Sequence, residues 1–258
     1  MNFKVSSAEN MVYSKNRWRK LSAITFALIS FLGYGCAPET ESLAPNEIYE
    51  REASLVSVKI EGATEGSGFL KAIRCKDKPA SRSPFDKPYC KTEYTVITAA
   101  HVLRGTSSDD ELVVITHDGL NHDVSSISFY SSDLDLASLT FEISEPKYRI
   151  GRIKLGADEV VPGDNIFLSG FPLQTSADPN RSLRFTDGKL ISIMDGRVSG
   201  GYKLIYSNST LPGMSGSPIF DSRGIIFGVH GRGELEAKMT QQTGIAVKTG
   251  QNQGIPLN

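Results

Sequence analysis

The sequence predicts an all-β chain folded as two small barrels side by side, and three observations carry that expectation. First, short runs of β-branched and aromatic residues recur from about residue 50 onward, punctuated by Gly, Asp, Asn and Ser. Many short strands at regular spacing with turn signals between them read as a sandwich or a barrel. Second, no stretch of ten or more residues beyond the N-terminal segment keeps a helical hydrophobic period. Third, the roughly thirteen runs divide into two sets near residue 147, each large enough for one small barrel.

The elements follow in order. Residues 1–35 hold five basic side chains (Lys4, Lys15, Arg17, Arg19, Lys20) and one acid, Glu9. The basic stretch precedes an apolar run, Leu21 to Leu32. Twelve residues are too few for a bilayer, which needs about 20. A basic n-region, a short apolar region and small residues read as a signal peptide, and Met11 would give it the more compact start. The segment ends Leu32-Gly33-Tyr34-Gly35-Cys36. That ending resembles a bacterial lipoprotein signal, which implies lipidation of Cys36 and a membrane anchor; Gly33 departs from the leucine usual at its place. A plain secretory signal cut nearby and an uncleaved anchor are the alternatives. Residues 36–49 are polar, include Pro38 and Pro45, and read as a flexible tether.

If Cys36 carries lipid, Cys75 and Cys90 remain as a pair, separated by fourteen residues and flanked by strand-like segments. In an oxidising compartment they are expected to form a disulfide, worth roughly 3 kcal/mol in the chain-entropy model; two free thiols are the alternative. Metal binding is not expected, because no second Cys/His pair lies at ligand spacing.

The first barrel is expected over 50–147, from Leu55–Ile60, Gly68–Ile73, Tyr94–Thr98, Leu112–Thr116, Val124–Phe129 and Ala137–Phe141. The second is expected over 148–258. Its segments are Arg152–Leu155, Asn165–Ser169, Arg184–Ile193, Lys203–Tyr206, Pro218–Phe220, Ile225–His230 and Gly244–Val247. The chain holds 28 basic and 29 acidic residues. Beyond residue 35 the balance is 23 to 28, a net of −5, which argues against a nucleic-acid surface.

Three short stretches carry the chemistry. Thr98-Ala99-Ala100-His101 closes a strand with a histidine, and its small alanines let the backbone turn tightly. Asp135-Leu136-Ala137-Ser138-Leu139 places an aspartate at the head of another strand; Asp133 competes, but the third residue from it is Asp135 rather than Ala. Pro212-Gly213-Met214-Ser215-Gly216-Ser217-Pro218 sets a serine between glycines. Glycines there permit a tight loop and a close approach of substrate to backbone. A base within hydrogen-bond reach of the serine, and an acid that fixes the base's tautomer, are the requirements of a Ser-His-Asp triad. His101, Asp135 and Ser215 fill those roles in that reading, with the Gly213 and Ser215 amides as the oxyanion hole, where losing one donor typically costs about 2.7–4 kcal/mol. His117 and His122 fall in a polar turn and are expected to face solvent. A hydrolase elbow does not fit, since Ser217 stands at its second glycine and its triad order ends in histidine.

With Gly66-Ser67-Gly68-Phe69, Gly163-Asp164-Asn165-Ile166 and Gly170-Phe171-Pro172, these motifs make the chain from about Ser54 to Val247 resemble a trypsin-like peptidase of the chymotrypsin clan. The similarity is to the bacterial branch that includes glutamyl endopeptidases. The resemblance implies two six-stranded antiparallel β-barrels with the active site between them, a peptide or protein substrate, and no cofactor. Thr210 and His230 match residues that in glutamyl endopeptidases bind an acidic side chain before the scissile bond. Ser209 stands where trypsins carry their specificity acid. Gly231 stands where many relatives have a serine that hydrogen-bonds the triad acid. Met214 stands where trypsin-like zymogens have the aspartate used in activation, so the pocket is expected to form on folding. The expected function is an exported serine endopeptidase of the cell envelope, leaning toward Glu or Asp. The alternative is a non-catalytic peptide-binding module on the same fold.

Overall fold

The computed structural model describes residues 41–76, 91–106, 111–155, 159–196, 198–234 and 249–257. Among the described residues, twelve strands form two closed antiparallel barrels of six, as the resemblance implied. The first contains β1 (Ser57–Gly62), β2 (Gly66–Lys76), β3 (Lys91–Ala99), β4 (Leu112–Ile115), β5 (Asn121–Ser131) and β6 (Leu134–Ile143), in the order β1-β2-β3-β6-β5-β4. The second contains β7 (Asn165–Gly170), β8 (Arg184–Ile193), β9 (Leu204–Tyr206), β10 (Pro218–Phe220), β11 (Ile226–Arg232) and β12 (Asn252–Pro256), in the order β10-β11-β12-β9-β8-β7.

Strand alternation explains where the cores sit. Successive side chains point to opposite faces. On β3, Tyr94 and Val96 enter the first barrel, where they meet Leu70, Val114, Leu139 and Phe141. Ile97 points the other way, into a second cluster with Phe69, Leu136, Phe167, Phe220 and Val229. That cluster draws on strands of both barrels, so β2, β3 and β6 are buried on both faces near the site and read as nearly continuous apolar runs. The second barrel has its own core of Ile166, Leu168, Leu190, Leu204, Ile219 and Phe227.

Each of β1–β11 overlaps an expected segment apart from Arg152–Leu155, which makes only one bridge, Ile153 to Ile226. This piece runs between the barrels: Gly151 N–H donates to Leu70 O at 2.7 Å, and Ile226 N–H to Arg152 O at 2.7 Å. Gly244–Val247 lies outside the described residues. β12 was not expected, because Asn252-Gln253-Gly254-Ile255-Pro256 has one β-branched residue; it forms because β9 and β11 pair with it on either side.

Residues 45–49, expected to lie in the tether, are helical. Pro45–Ile48, Tyr49–Ala53 and Ser54–Val56 are consecutive helical turns, the middle one wider. Proline suits a first turn, and the Glu47 carboxylate accepts the Ala44 N–H at 3.0 Å. Ile48, Ala53 and Val56 are fully buried in the inter-barrel cluster, so tertiary packing, not a long amphipathic period, holds this helix.

Arg181 ties the barrels together. It is 1% exposed and its guanidinium donates to the carbonyls of Pro172 (2.9 Å), Ile60 (3.2 Å), Gly66 (3.1 Å) and Phe171 (3.1 Å). Glu61 of β1 supplies a carboxylate 3.3 Å away.

Candidate active site

β3 ends at Ala99 and turns directly into one helical turn, Ala100–Leu103, which carries His101. Both alanines are buried, so nothing bulkier would let the turn close against the barrel. Asp135 is the second residue of β6, whose pairing of Leu136 with Ala99 sets it beside that turn. Its Oδ1 accepts the His101 backbone N–H at 2.7 Å, and its Oδ2 accepts from His101 Nδ1 at 2.6 Å. A carboxylate only accepts, so Nδ1 holds a proton, and in the neutral ring the lone pair is then on Nε2. The Tyr202 hydroxyl donates to the same Oδ2, and the Arg104 guanidinium lies 3.6 Å from Oδ1. Asp135 is 5% exposed. Burial pushes its carboxyl up, but the hydrogen bonds from His101 and Tyr202 outweigh this and hold it at about 2. Asp133 is exposed in the β5–β6 turn.

Ser215 comes from the second barrel, in the loop before β10. The loop is stitched to the first barrel by Ser67 of β2. Ser67 N–H donates to Ser215 O at 2.9 Å, Ser67 Oγ to Gly213 O at 2.8 Å, and Thr98 Oγ1 to Ser67 O at 2.7 Å. Thr98 lies three residues before His101, so this chain of bonds ties the serine loop to the end of β3 that leads to His101. Gly216 takes φ +92°, and a Cβ there would sit 2.0 Å from Ser67 O, which is why glycine follows the serine. Ser215 Oγ donates to Gly231 O at 3.4 Å; no hydrogen bond joins it to the His101 ring. Such links are commonly long before substrate binds.

The loop also aims two amides. Pro212 O accepts from Leu173 N–H at 2.8 Å, and Met214 O from Ser217 N–H at 3.1 Å. In a trans peptide the N–H opposes the C=O, so these bonds fix the directions of the Gly213 and Ser215 N–H groups. Neither amide has a hydrogen-bond partner among the described residues. Met214 is fully buried with Leu168, Tyr206 and Phe227, an apolar anchor for the loop.

His230 and Thr210 lie on one polar network at β9 and β12. His230 is 2% exposed, and its Nδ1 is 2.5 Å from the Tyr206 hydroxyl. That hydroxyl lies farther, 3.3 Å, from Gln253 O. The phenolic proton goes to that carbonyl, which only accepts, so the hydroxyl meets Nδ1 as an acceptor. The Thr210 hydroxyl donates to Asn252 Oδ1 at 2.5 Å, and Asn252 Nδ2 donates back to the Asn208 and Tyr206 carbonyls. The Thr210 proton is thus already committed.

Burial, with the nearby His101 adding a little, lowers His230 to about 3. The unfolded chain therefore binds a proton below about 6.5 that the folded chain refuses. Stability should fall as pH drops from about 6.5 toward 3, the window set by this one ring. Urea midpoints should decline less steeply with acidification in His230→Gln than in the wild type; equal slopes between pH 7.5 and 4.5 would remove His230 as the cause.

With this geometry in place, a family model for the trypsin-like peptidase domain matches residues 88–229. The chain belongs to the trypsin-like peptidase family. Glutamyl endopeptidases of Staphylococcus aureus strains MW2 and MSSA476 are each 26% identical to it over 149 residues, covering 53% of this chain and 43% and 42% of theirs. The chain thus spans less than half the length of the curated relatives it matches. Among solved structures, the HtrA-type protease AlgW with a tripeptide superposes with a TM-score of 0.59 at 16% identity, over 83% of this chain and 60% of that one. Deg5 gives 0.57 at 18% identity, over 82% and 88%. These likenesses show the fold.

Sequence reasoning missed two residues of this candidate site. Ser67 lay in a quoted motif, Gly66-Ser67-Gly68-Phe69, but its ties to the serine loop are tertiary. Tyr202 had one sequence signal, the glycine at 231 where the resemblance implies a hydroxyl. His122, expected to face solvent, is half-buried: its ring stacks on Phe141 at 4.6 Å and its Nε2 meets the Tyr148 hydroxyl at 2.7 Å, because β5 pairs on β6. His117 is exposed. Cys75 is disulfide-bonded; Cys90 and Cys36 lie outside the described residues.

Proposed function

We propose that the chain is a serine endopeptidase exported to the cell envelope. Ser215 Oγ attacks the scissile carbonyl carbon while His101 Nε2 takes its proton. The Gly213 and Ser215 amides receive the oxyanion. The tetrahedral adduct collapses to an acyl-enzyme as His101 returns the proton to the departing amine, and water repeats the cycle. Asp135 holds the ring in the tautomer this requires. The observation that carries the reading is the His101 Nδ1–Asp135 bond, 2.6 Å, beside a serine loop with two unpartnered, oriented amides.

The preference proposed is for Glu or Asp before the scissile bond. It rests on the positions of His230 and Thr210 in the resemblance rather than on free donors, since the Thr210 proton already serves Asn252. The buried Met214 supports a pocket that forms on folding, without a newly freed N-terminus. Export, lipidation of Cys36, and a Cys75–Cys90 disulfide belong to the same proposal and rest on the sequence.

The Ser215 hydrogen bond to Gly231 is the one observation favouring the alternative, a peptide-binding module without turnover. A library of peptides varied at the residue before the cut separates them. The proposal expects turnover, with cleavage after Glu or Asp. Cleavage only after Lys, Leu or Phe would dispose of the acidic preference, and binding without cleavage would favour the module.

A further inference from the structure

Asp135 sits under a second clamp that the triad alone does not require. The loop leading into β9 holds it twice: Gly200 O accepts the Asp135 N–H at 3.0 Å, and two residues later the Tyr202 hydroxyl donates to Oδ2. Tyr202 is 1% exposed and packs in the inter-barrel cluster. The Arg232 guanidinium covers its ring, 4.0 Å from the centroid, and donates onward to Gln253 Oε1 at 3.3 Å. The fourth side is Gly231. A Cβ there would lie 2.5 Å from both the Tyr202 Cε1 and the hydroxyl oxygen. The ring occupies the space a side chain at 231 would need.

We infer that Tyr202 is a positioning residue for the reaction, fixing the plane of the Asp135 carboxylate through a hydroxyl that only a glycine at 231 admits. The inference rests on the reading of His101, Asp135 and Ser215 as a triad. Its physical content is the count of donors. Oδ2 receives both the His101 ring and the Tyr202 hydroxyl, while Oδ1 receives the His101 backbone. With the phenol gone, His101 alone supplies hydrogen bonds to the carboxylate, and a turn about its Cβ–Cγ bond carries the imidazole with it. Burial and the adjacent carboxylate push the Tyr202 phenol well above its ordinary range, so it stays a donor at every working pH.

Tyr202→Phe keeps the ring and its packing but loses the donor. Its kcat should fall roughly ten- to hundredfold, the range for a hydrogen bond to a charged group, with KM unchanged. The geometry also predicts compensation. Gly231→Ser alone should lower kcat, because its Cβ collides with the ring. Tyr202→Ala should lower it further. The double variant, Tyr202→Ala with Gly231→Ser, should regain activity over Tyr202→Ala, since a hydroxyl at 231 reaches the place the phenolic oxygen vacates. A merely structural tyrosine gives no such regain. Tyr202→Phe at wild-type kcat, or a double variant no better than Tyr202→Ala, overturns the inference.

A second readout does not depend on turnover. The proton between His101 Nδ1 and Asp135 should give a far-downfield proton resonance that moves in Tyr202→Phe. An unmoved resonance overturns the role of Tyr202. A wild type no more active than Ser215→Ala, with the resonance still moving, instead sinks the catalytic reading and leaves the clamp.

Discussion

Ser215→Ala should leave the fold intact and lower kcat by about 10⁴- to 10⁶-fold. The size follows from what is removed: the atom proposed to form the acyl-enzyme. The residue does little for the fold. Its hydroxyl makes one hydrogen bond, to Gly231 O at 3.4 Å, and the loop is held by backbone atoms and by Ser67 instead. A neutral bond of that kind is worth about 1 kcal/mol or less. The melting temperature of Ser215→Ala should therefore stay near that of the wild type. Residual hydrolysis above background would come from the Gly213 and Ser215 amides, which the substitution leaves in place. An activity loss below tenfold would mean that another group attacks.

Asp135→Asn should cost about 10⁴-fold in kcat. The chain gives a local reason for so large an effect from an isosteric change. Three donors converge on this carboxylate: the His101 backbone, the His101 ring and the Tyr202 hydroxyl. An asparagine offers one accepting oxygen and one donating nitrogen. Whichever way it turns, its NH₂ faces a donor. If it faces the ring, the imidazole proton moves to Nε2 and the base at Ser215 is lost. If it faces the His101 backbone N–H, that N–H is left unpaired and the ring tilts. The pH dependence has a definite sign. Asp135, held at about 2, contributes stability that is present above about 4 and is lost as pH falls through 2. Steady-state kinetics on the best library peptide, with melting curves on the same samples, check both effects.

The parts of this architecture legible in the sequence were those where local pattern and tertiary environment agree. β3 and β6 read as strands because apolar and β-branched residues dominate Tyr94–Ala99 and Leu136–Phe141, with both faces buried near His101 and Asp135. Asp135 was separable from Asp133 because an alanine, Ala137, stands third from it, whereas Asp135 itself stands third from Asp133; the structure adds that Asp133 lies in the exposed turn. The serine loop was legible because its glycines answer to backbone geometry, as the φ of +92° at Gly216 shows. What escaped depends on partners distant in sequence. β12 has almost no strand propensity and exists by pairing with β9 and β11. The helix over 45–56 is held by buried Ile48 and Val56 rather than by its own period. Arg181 and Tyr202 act across more than sixty residues, on Gly66 and Asp135 respectively, and no short window contains both ends of either contact. Only the glycine at 231 hinted that a hydroxyl from elsewhere was needed.

The central claim is that Ser215 is activated by His101 in the folded chain. A fluorophosphonate probe tests it most directly, since it bonds covalently to an activated serine and not to an ordinary one. Intact-mass and peptide mapping of the treated, folded protein should find one equivalent on Ser215, with none in Ser215→Ala and little in His101→Ala. A wild type that remains unlabelled like the Ser215→Ala control would contradict the account.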